Sequence, residues 1–361
     1  MIRCARCGIR LLEQNPVCRV HGEAAVSPAA GGDGPPSLDL RADGPILSAL
    51  LAKGYRVIGK LGEGGFGIVL GAERIADGQA LAIKITRAHT ATARSELTAE
   101  AELLQKASSA VAPALVECGA LGTDKREAHG FLAMERVLAP SLASLLENAA
   151  PFDTVEFLRV ARGLVAALRA LHAHGVVHRD LKPENVFVLP DGSVRLIDFG
   201  LSRPVGARRS SDGASALQEV GTPEYMSPEQ CTGDDAGDVR TDLYSAGIML
   251  YEALAGAPPF WGQAAEVREQ HLSRRPRPLG RKGSLAALDA VVRTCLAKLP
   301  DERYPSADAL GEAFEKALLG SSAASVPPPA PEAVPSESRR DGGREKRRVG
   351  LLFFTSDAKV V

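Results

Sequence analysis

The apolar positions change period along the chain, and the changes divide it. In residues 55–61, 68–73 and 81–86 they come in short alternating or β-branched runs, the first two joined by a glycine-rich turn. That pattern predicts three strands in an antiparallel opening. Residues 94–107 take helical spacing. From Thr154 to His174, Phe157, Ala161, Leu164, Leu168 and Leu171 fall on one stripe, which predicts a buried amphipathic helix with Asp153 or Thr154 as its N-cap. Residues 186–189 and 194–197 flank Pro190-Asp191-Gly192-Ser193. Proline presets one φ there and glycine permits a positive one, so a hairpin is expected. Residues 240–255 and 284–298 return to helical spacing, with Pro258-Pro259 expected to stop the first. Strands therefore dominate the first third and helices the rest.

Outside this span the periodicity fades. Residues 23–54 read as a linker whose first part is rich in Ala, Gly, Pro and Asp. Residues 320–348, with Pro327-Pro328-Pro329 ahead of Arg and Glu clusters, read as a second linker, and 349–361 as a tail or the start of a further segment. One domain remains at 55–319, with a mobile loop expected at 203–220. The 43 Lys+Arg against 44 Asp+Glu leave a net charge of −1, which argues against a general nucleic-acid binder. No apolar run reaches the roughly 18–20 residues of a membrane span, and no secretory signal precedes the domain, so a cytoplasmic protein is expected. Cys118, Cys231 and Cys295 are scattered, and no disulfide framework is expected.

Chemistry enters with Gly62-Glu63-Gly64-Gly65-Phe66-Gly67-Ile68-Val69, where missing side chains let backbone amides close over a polyphosphate. A dinucleotide site would need these glycines to open a helix, whereas here a strand follows and then Ala82-Ile83-Lys84. A lysine inside an apolar strand needs an anion and a carboxylate. Glu100 is the chosen partner, with Glu96 and Glu102 nearby. His178-Arg179-Asp180-Leu181-Lys182-Pro183-Glu184-Asn185 precedes the hairpin and Asp198-Phe199-Gly200 follows it. One carboxylate there can accept a proton, while a second carboxylate and an amide can hold a hard Mg²⁺ through oxygen.

Together with Ser227-Pro228-Glu229, these ordered motifs resemble those of protein kinases, and most closely the eukaryotic-like Ser/Thr kinases of bacteria. The resemblance implies an α+β, bilobal fold, with a small β-rich lobe to about Val137 and a larger helical lobe after it. It implies transfer of the ATP γ-phosphoryl group to Ser or Thr of protein substrates. By the same resemblance Lys84 holds the α/β-phosphates and pairs with Glu100, Asp198 and Asn185 bind Mg²⁺, Asp180 orients and deprotonates the hydroxyl, and Lys182 neutralises the γ-phosphate. Nucleotide contacts are implied for Leu61, Gly62, Gly64, Gly67, Val69, Ala82, Met134, Glu135, Val137 and Phe187. The backbone of Glu135-Arg136-Val137 would meet adenine, Thr222 would line the substrate loop, Glu229 would pair with Arg303, and Asp242 would brace the catalytic loop. An activating phosphosite between Ser210 and Thr222 is expected beside Arg179. His172 and His174 are assigned no chemistry.

The N-terminal residues 1–22 carry Cys4-Ala5-Arg6-Cys7-Gly8 and then Cys18-Arg19-Val20-His21. Two thiol or imidazole pairs at this spacing suit Zn²⁺, so Cys4, Cys7, Cys18 and His21 are expected to hold a structural zinc in a ribbon-like module. Such a module would serve as a docking site for a partner.

Overall fold

A computed structural model describes residues 2–3, 10–11, 44–64, 67–86, 90–107, 109–122, 128–207, 222–234, 237–280 and 284–323. Two short strands open it, β1 (Ile2–Arg3) and β2 (Arg10–Leu11), paired antiparallel with Ile2 opposite Leu11 and Arg3 opposite Arg10. Cys4, Cys7, Cys18 and His21 lie outside the described residues, as do Ser210, Ser211 and Ser215.

The first lobe is a five-stranded antiparallel sheet built from β3 (Tyr55–Gly64), β4 (Gly67–Arg74), β5 (Ala80–Thr86), β6 (Leu115–Leu121) and β7 (His129–Glu135), in the order β3-β4-β5-β7-β6. Side chains alternate between its faces. Ile68, Leu70, Leu81, Ile83, Ile85 and Phe131 share one face and a small core with Leu50. Ala82, Leu132 and Met134 take the opposite face and join the larger core, which also receives Leu97, Ala101 and Leu104 of helix α2 (Ala91–Lys106). Helix α2 starts earlier than the spacing predicts, because the Thr90 side chain caps it by accepting the Ala93 N–H at 3.1 Å.

One expectation is corrected here. Residues 44–52, read as part of a linker, form helix α1 (Gly44–Ala52), and Leu50 seals the small core at 0 % exposure. The composition of residues 23–44 masked a helix just beyond them.

After Glu135 the chain turns helical, through α3 (Leu142–Ala149) and α4 (Thr154–Ala173). Asp153 caps α4 by accepting the Glu156 N–H at 2.8 Å, and Phe157, Ala161, Leu164, Leu168 and Leu171 are all buried as the stripe predicts. Strand β8 (Val176–Val177) pairs with β11 (Arg203–Pro204), while β9 (Val186–Val188) and β10 (Val194–Leu196) form the expected hairpin. A short α5 (Pro228–Thr232) leads to α6 (Val239–Ala255), buried on every side from Thr241 to Leu254, the signature of a helix at the centre of a core. Helix α6 is stopped by Gly256 in the left-handed region at φ 83, ahead of the prolines expected to stop it. Helices α7 (Ala264–Ser273), α8 (Ser284–Cys295) and α9 (Ala307–Ala323) complete the lobe. The α+β, bilobal architecture is the one expected. Among the described residues no helix is long and apolar enough to cross a membrane.

Candidate active site

Lys84 lies on the inner face of β5, and the strand period that buries Ile83 and Ile85 on the far face turns it toward α2. Its Nζ donates to both Glu100 oxygens at 2.8 Å and to Asp198 Oδ1 at 2.9 Å. Glu96 and Glu102 are exposed, so the choice among the three glutamates resolves to Glu100. Burial alone would lower the Lys84 pKa, but Asp198 and Glu100 reverse this and hold the ammonium charged. Burial pushes the Asp198 carboxyl up, and Lys84 more than reverses it, to about 2. For Glu100 burial prevails and its carboxyl is raised, the Lys84 charge offsetting only part.

Beyond β8 the loop 178–185 brings the second set together. Asp180 Oδ2 accepts from Lys182 Nζ at 2.7 Å and from Asn185 Nδ2 at 3.2 Å, and the same amide donates to the Asp180 carbonyl at 2.9 Å. With its nitrogen engaged on Asp180, the Asn185 amide keeps its oxygen for a cation. Burial raises the Asp180 carboxyl above the usual aspartate range, with Lys182 opposing, which favours a group that must accept a proton. Asn185 and Asp198 are tied through the hairpin, since Ile197 N–H donates to the Asn185 carbonyl at 3.0 Å.

The loop is held from beneath. Asp242 on α6, fully buried, accepts the His178 N–H and the Arg179 N–H, each at 2.8 Å, and meets His172 Nε2 at 2.9 Å. Arg179 and Asp198 stand at φ 68 and φ 66, a left-handed conformation that costs about 1–3 kcal/mol per non-glycine residue and persists only where neighbours impose it. Gln230 Nε2 adds a bond to the Arg179 carbonyl at 2.7 Å, and His178 packs against Phe199 with the rings tilted and their centroids 5.1 Å apart. Sequence reasoning missed His172 and Gln230. Nothing in their spacing marks them, because their partners lie across the fold.

The residues expected around the nucleotide fall on β3, β4, β5, β7, the connection after β7, and β9. Gly62 pairs with Val69 and Gly64 with Gly67 across β3–β4, and Ala82 pairs with Met134 across β5–β7. Leu61 is largely exposed. A side chain at Gly67 would place its Cβ 1.9 Å from the Ile85 carbonyl oxygen, so the turn tolerates only glycine there. Phe187 lies in β9 and bridges to Ser141. In the connection, the Glu135 carboxylate accepts from Ala114 N and Arg195 at 3.3 Å each, and the Arg136 N–H bonds the Ala80 carbonyl at 3.1 Å.

One further pair joins α5 to the segment before α9. Arg303 holds Glu229 through two parallel 2.8 Å bonds, and Thr241 adds a third to the same carboxylate. Thr222, Tyr225, Met226 and Leu201 line a cavity that opens on Asp180.

Comparison with known proteins agrees with this arrangement. The family model described as protein kinase domain matches residues 55–314. The chain is 32% identical over 275 residues to a probable serine/threonine-protein kinase of Corynebacterium efficiens, covering 72% of this chain and 41% of the relative. It is 34% identical over 313 residues to the serine/threonine-protein kinase pkn2 of Myxococcus xanthus, covering 80% and 36%. It is 31% identical over 310 residues to the serine/threonine-protein kinase PknB of Mycobacterium tuberculosis, covering 79% and 49%. The chain thus spans less than half the length of these relatives. A kinase-domain match over most of its residues, together with relatives of this similarity, establishes that the chain belongs to the protein kinase family.

Proposed function

We propose that the chain is a serine/threonine protein kinase that transfers the γ-phosphoryl group of Mg-ATP to Ser or Thr hydroxyls of protein substrates, itself included, in signalling. The observation that carries the reading is a pair of polar clusters, Glu100–Lys84–Asp198 and Lys182–Asp180–Asn185, close enough that the Asp198 charge acts on both Asp180 and Lys182. Phosphoryl transfer asks a protein mainly for positioning and charge stabilisation. Lys84, fixed by Glu100, holds the α/β-phosphates. Asp198 and the Asn185 oxygen are the hard donors suited to Mg²⁺, which neutralises charge on the phosphates when bound. Asp180 aligns the acceptor hydroxyl and takes its proton, and Lys182 balances negative charge beside it. Leu61, Val69, Ala82, Met134 and Phe187 supply apolar surface for adenine, with the Val137 N–H as its polar contact and the Gly62, Gly64 and Gly67 backbone over the phosphates.

We further propose that Cys4, Cys7, Cys18 and His21 hold a structural zinc and that this module docks a partner. The support is the ligand spacing and the position of both Cys4 and Cys7 in the sequence between the paired β1 and β2. Metal analysis of the purified chain should give one zinc per molecule, lost in Cys4→Ser.

The deciding experiment for the kinase reading is incubation with Mg-ATP, with and without Asp180→Asn, and mapping of phosphate by mass spectrometry. Phosphoserine or phosphothreonine in the wild type alone supports it. Absence of transfer to the chain itself and to a generic basic substrate overturns it.

A further inference from the structure

His271 of α7 is fully buried and takes no part in the chemistry assigned so far. Its ring packs against two others: Phe260 meets it edge-on with centroids 4.9 Å apart, and Tyr244 of α6 lies tilted at 5.6 Å. Lys298 Nζ donates to the His271 carbonyl at 2.7 Å and so fixes the last turn of α7. Helix α7 also packs against the turn Pro223–Tyr225, and the carbonyls of Pro223 and Glu224 face the imidazole. The next carbonyl, that of Tyr225, accepts from Ser245 Oγ of α6 at 2.7 Å. Two core helices thus address three consecutive carbonyls of one turn.

The imidazole is neutral. Burial and the Lys298 charge push it down to about 3, with the Pro223 and Glu224 carbonyls opposing, so it carries one proton at any working pH. Burial keeps the Tyr244 hydroxyl protonated, and it meets Nδ1 at 2.9 Å, its one hydrogen bond among the described residues. Two arrangements are open. With the imidazole proton on Nδ1, the phenol proton would lack an acceptor and the Nε2 lone pair would face two carbonyl oxygens. With the proton on Nε2, the phenol donates to Nδ1 and an N–H faces the carbonyls. Only the second arrangement avoids both faults. Nε2 is buried, yet it completes no hydrogen bond to a described residue. A buried donor without an acceptor is costly, and a small movement of the turn toward the ring relieves that cost.

Position gives the spare donor its consequence. Thr222, Tyr225 and Met226 line the cavity that opens on Asp180. The Tyr225 N–H bonds the Thr222 carbonyl and the Met226 N–H the Pro223 carbonyl, each at 3.2 Å, so residues 222–226 move as one turn. A polypeptide seated on Thr222, Tyr225 and Met226 presses on the same turn whose carbonyls face His271.

We propose that His271 is a positioning residue for the acceptor polypeptide: the Tyr244 hydroxyl holds the imidazole proton on Nε2, and that N–H takes the Pro223 or Glu224 carbonyl when a polypeptide seats against residues 222–226. The role in phosphoryl transfer rests on the kinase reading, whereas the tautomer and its response to a seated polypeptide do not, and the test reads them separately.

The probe is myelin basic protein, and nitrogen NMR of the full chain with labelled histidine reads the imidazole without any transfer. The His271 signals, identified as those that move in Tyr244→Phe, should report the Nε2–H tautomer in the wild type, and the Nε2 resonance should shift when saturating probe is added without nucleotide. In steady-state assays with Mg-ATP, Tyr244→Phe should raise the KM for the probe by about threefold to tenfold, with kcat and the KM for ATP changed by less than about twofold. His271→Gln, whose amide nitrogen can reach the place of Nε2, should keep the KM of the wild type. His271→Asn, whose amide nitrogen reaches only the place of Nδ1, should raise it as Tyr244→Phe does. Both amides disturb the core alike, so a merely structural role predicts equal effects. An Nδ1–H tautomer, an Nε2 resonance unmoved by saturating probe, or equal KM values for the Gln and Asn variants would each overturn the proposal. A wild type whose Nε2 resonance shifts with the probe yet transfers no phosphate would instead remove the kinase reading and keep the donor.

Discussion

Asp242 accepts the Arg179 N–H at 2.8 Å while Arg179 stands at φ 68, so a carboxylate sealed in α6 holds the catalytic loop in a conformation its own sequence disfavours. The other Asp242 oxygen takes the His178 N–H and meets His172. An amide offers one acceptor where the carboxylate offers two, and it turns a donor toward a backbone N–H. Asp242→Asn should therefore lower kcat about 10²-fold through loss of position. It should also reduce unfolding free energy by roughly 1–3 kcal/mol for the unsatisfied donor. Steady-state kinetics and urea unfolding on the same preparation check both.

The same carboxylate predicts a pH dependence. Burial would raise the Asp242 pKa, but the hydrogen bond from His172, the charges of His172 and His178, and the Arg179 N–H turn the shift downward. A depressed folded pKa stabilises the fold above the ordinary aspartate value of about 3.9, and that stability is lost as pH falls toward the folded value, where the unfolded chain binds a proton the native one refuses. The urea midpoint of the wild type should fall more steeply than that of Asp242→Asn as pH drops from about 5 to about 3. Parallel curves would show that this carboxylate contributes nothing to acid stability.

Asp180 and Lys84 should separate chemistry from assembly. Asp180→Asn keeps the size of the side chain and removes the proton acceptor, so transfer should slow by about 10²–10⁴ with nucleotide affinity retained. Lys84→Met removes the cation between Glu100 and Asp198, and it leaves the Glu100 carboxyl buried without its partner. That variant should lose transfer and be less stable by about 3–5 kcal/mol. Isothermal titration with nucleotide and thermal unfolding distinguish the two outcomes.

The site was legible in the sequence wherever chemistry is local. Lys84 is conspicuous as a charge in an apolar strand, and 178–185 and 198–200 present their groups at fixed offsets about one hairpin. The helical stripe of α4 was legible for the same reason, since periodicity is a local property. Partners across the fold were hidden. Helix α1 lies at the edge of a low-complexity stretch, and only the sheet it covers shows why Leu50 is needed. Arg10 bonds Glu184, Tyr225 and Glu252, yet it is one arginine among several near the N-terminus, and nothing along the chain joins it to them. A signal was nevertheless present at Glu252, a glutamate inside the apolar pattern of α6, because a charge in a core helix requires a cation from elsewhere.

Glu229 and Arg303 should behave as a unit. The Arg303 guanidinium has 0 % of its side chain exposed and also donates to the Ala297 and Lys298 carbonyls, so Arg303→Ala leaves several acceptors and a largely buried carboxylate without a partner. Either Arg303→Ala or Glu229→Ala should cost about 3–5 kcal/mol, and the double variant should cost far less than the sum. Arg303→Lys should rescue little, because an ammonium cannot reproduce the two parallel bonds. A double-mutant cycle on urea unfolding provides the measurement.

Gly163 tests how the hairpin is positioned. In an ordinary helix interior, Gly→Ala stabilises by roughly 0.5–1 kcal/mol because alanine has less backbone entropy to lose. At Gly163 of α4, however, a Cβ would stand 2.2 Å from the Gly192 carbonyl oxygen and 3.0 Å from Val194 Cγ2. The clash is with backbone, at a turn whose Gly192 is already at φ 85 and cannot swing freely. Gly163→Ala must therefore push β9–β10 away from α4, and that hairpin is flanked by Asn185 at one end and Asp198 at the other. The expected result is a net loss of about 1–3 kcal/mol, opposite in sign to the helix preference. A fall in kcat should accompany it as Asn185 and Asp198, the proposed Mg²⁺ donors, are displaced. Gly59→Ala, where a Cβ would meet nothing within 4 Å, is the control that should leave both unchanged. A stabilised Gly163→Ala with normal kcat would show that the hairpin shifts freely and that the close approach to α4 does not set the geometry of the site.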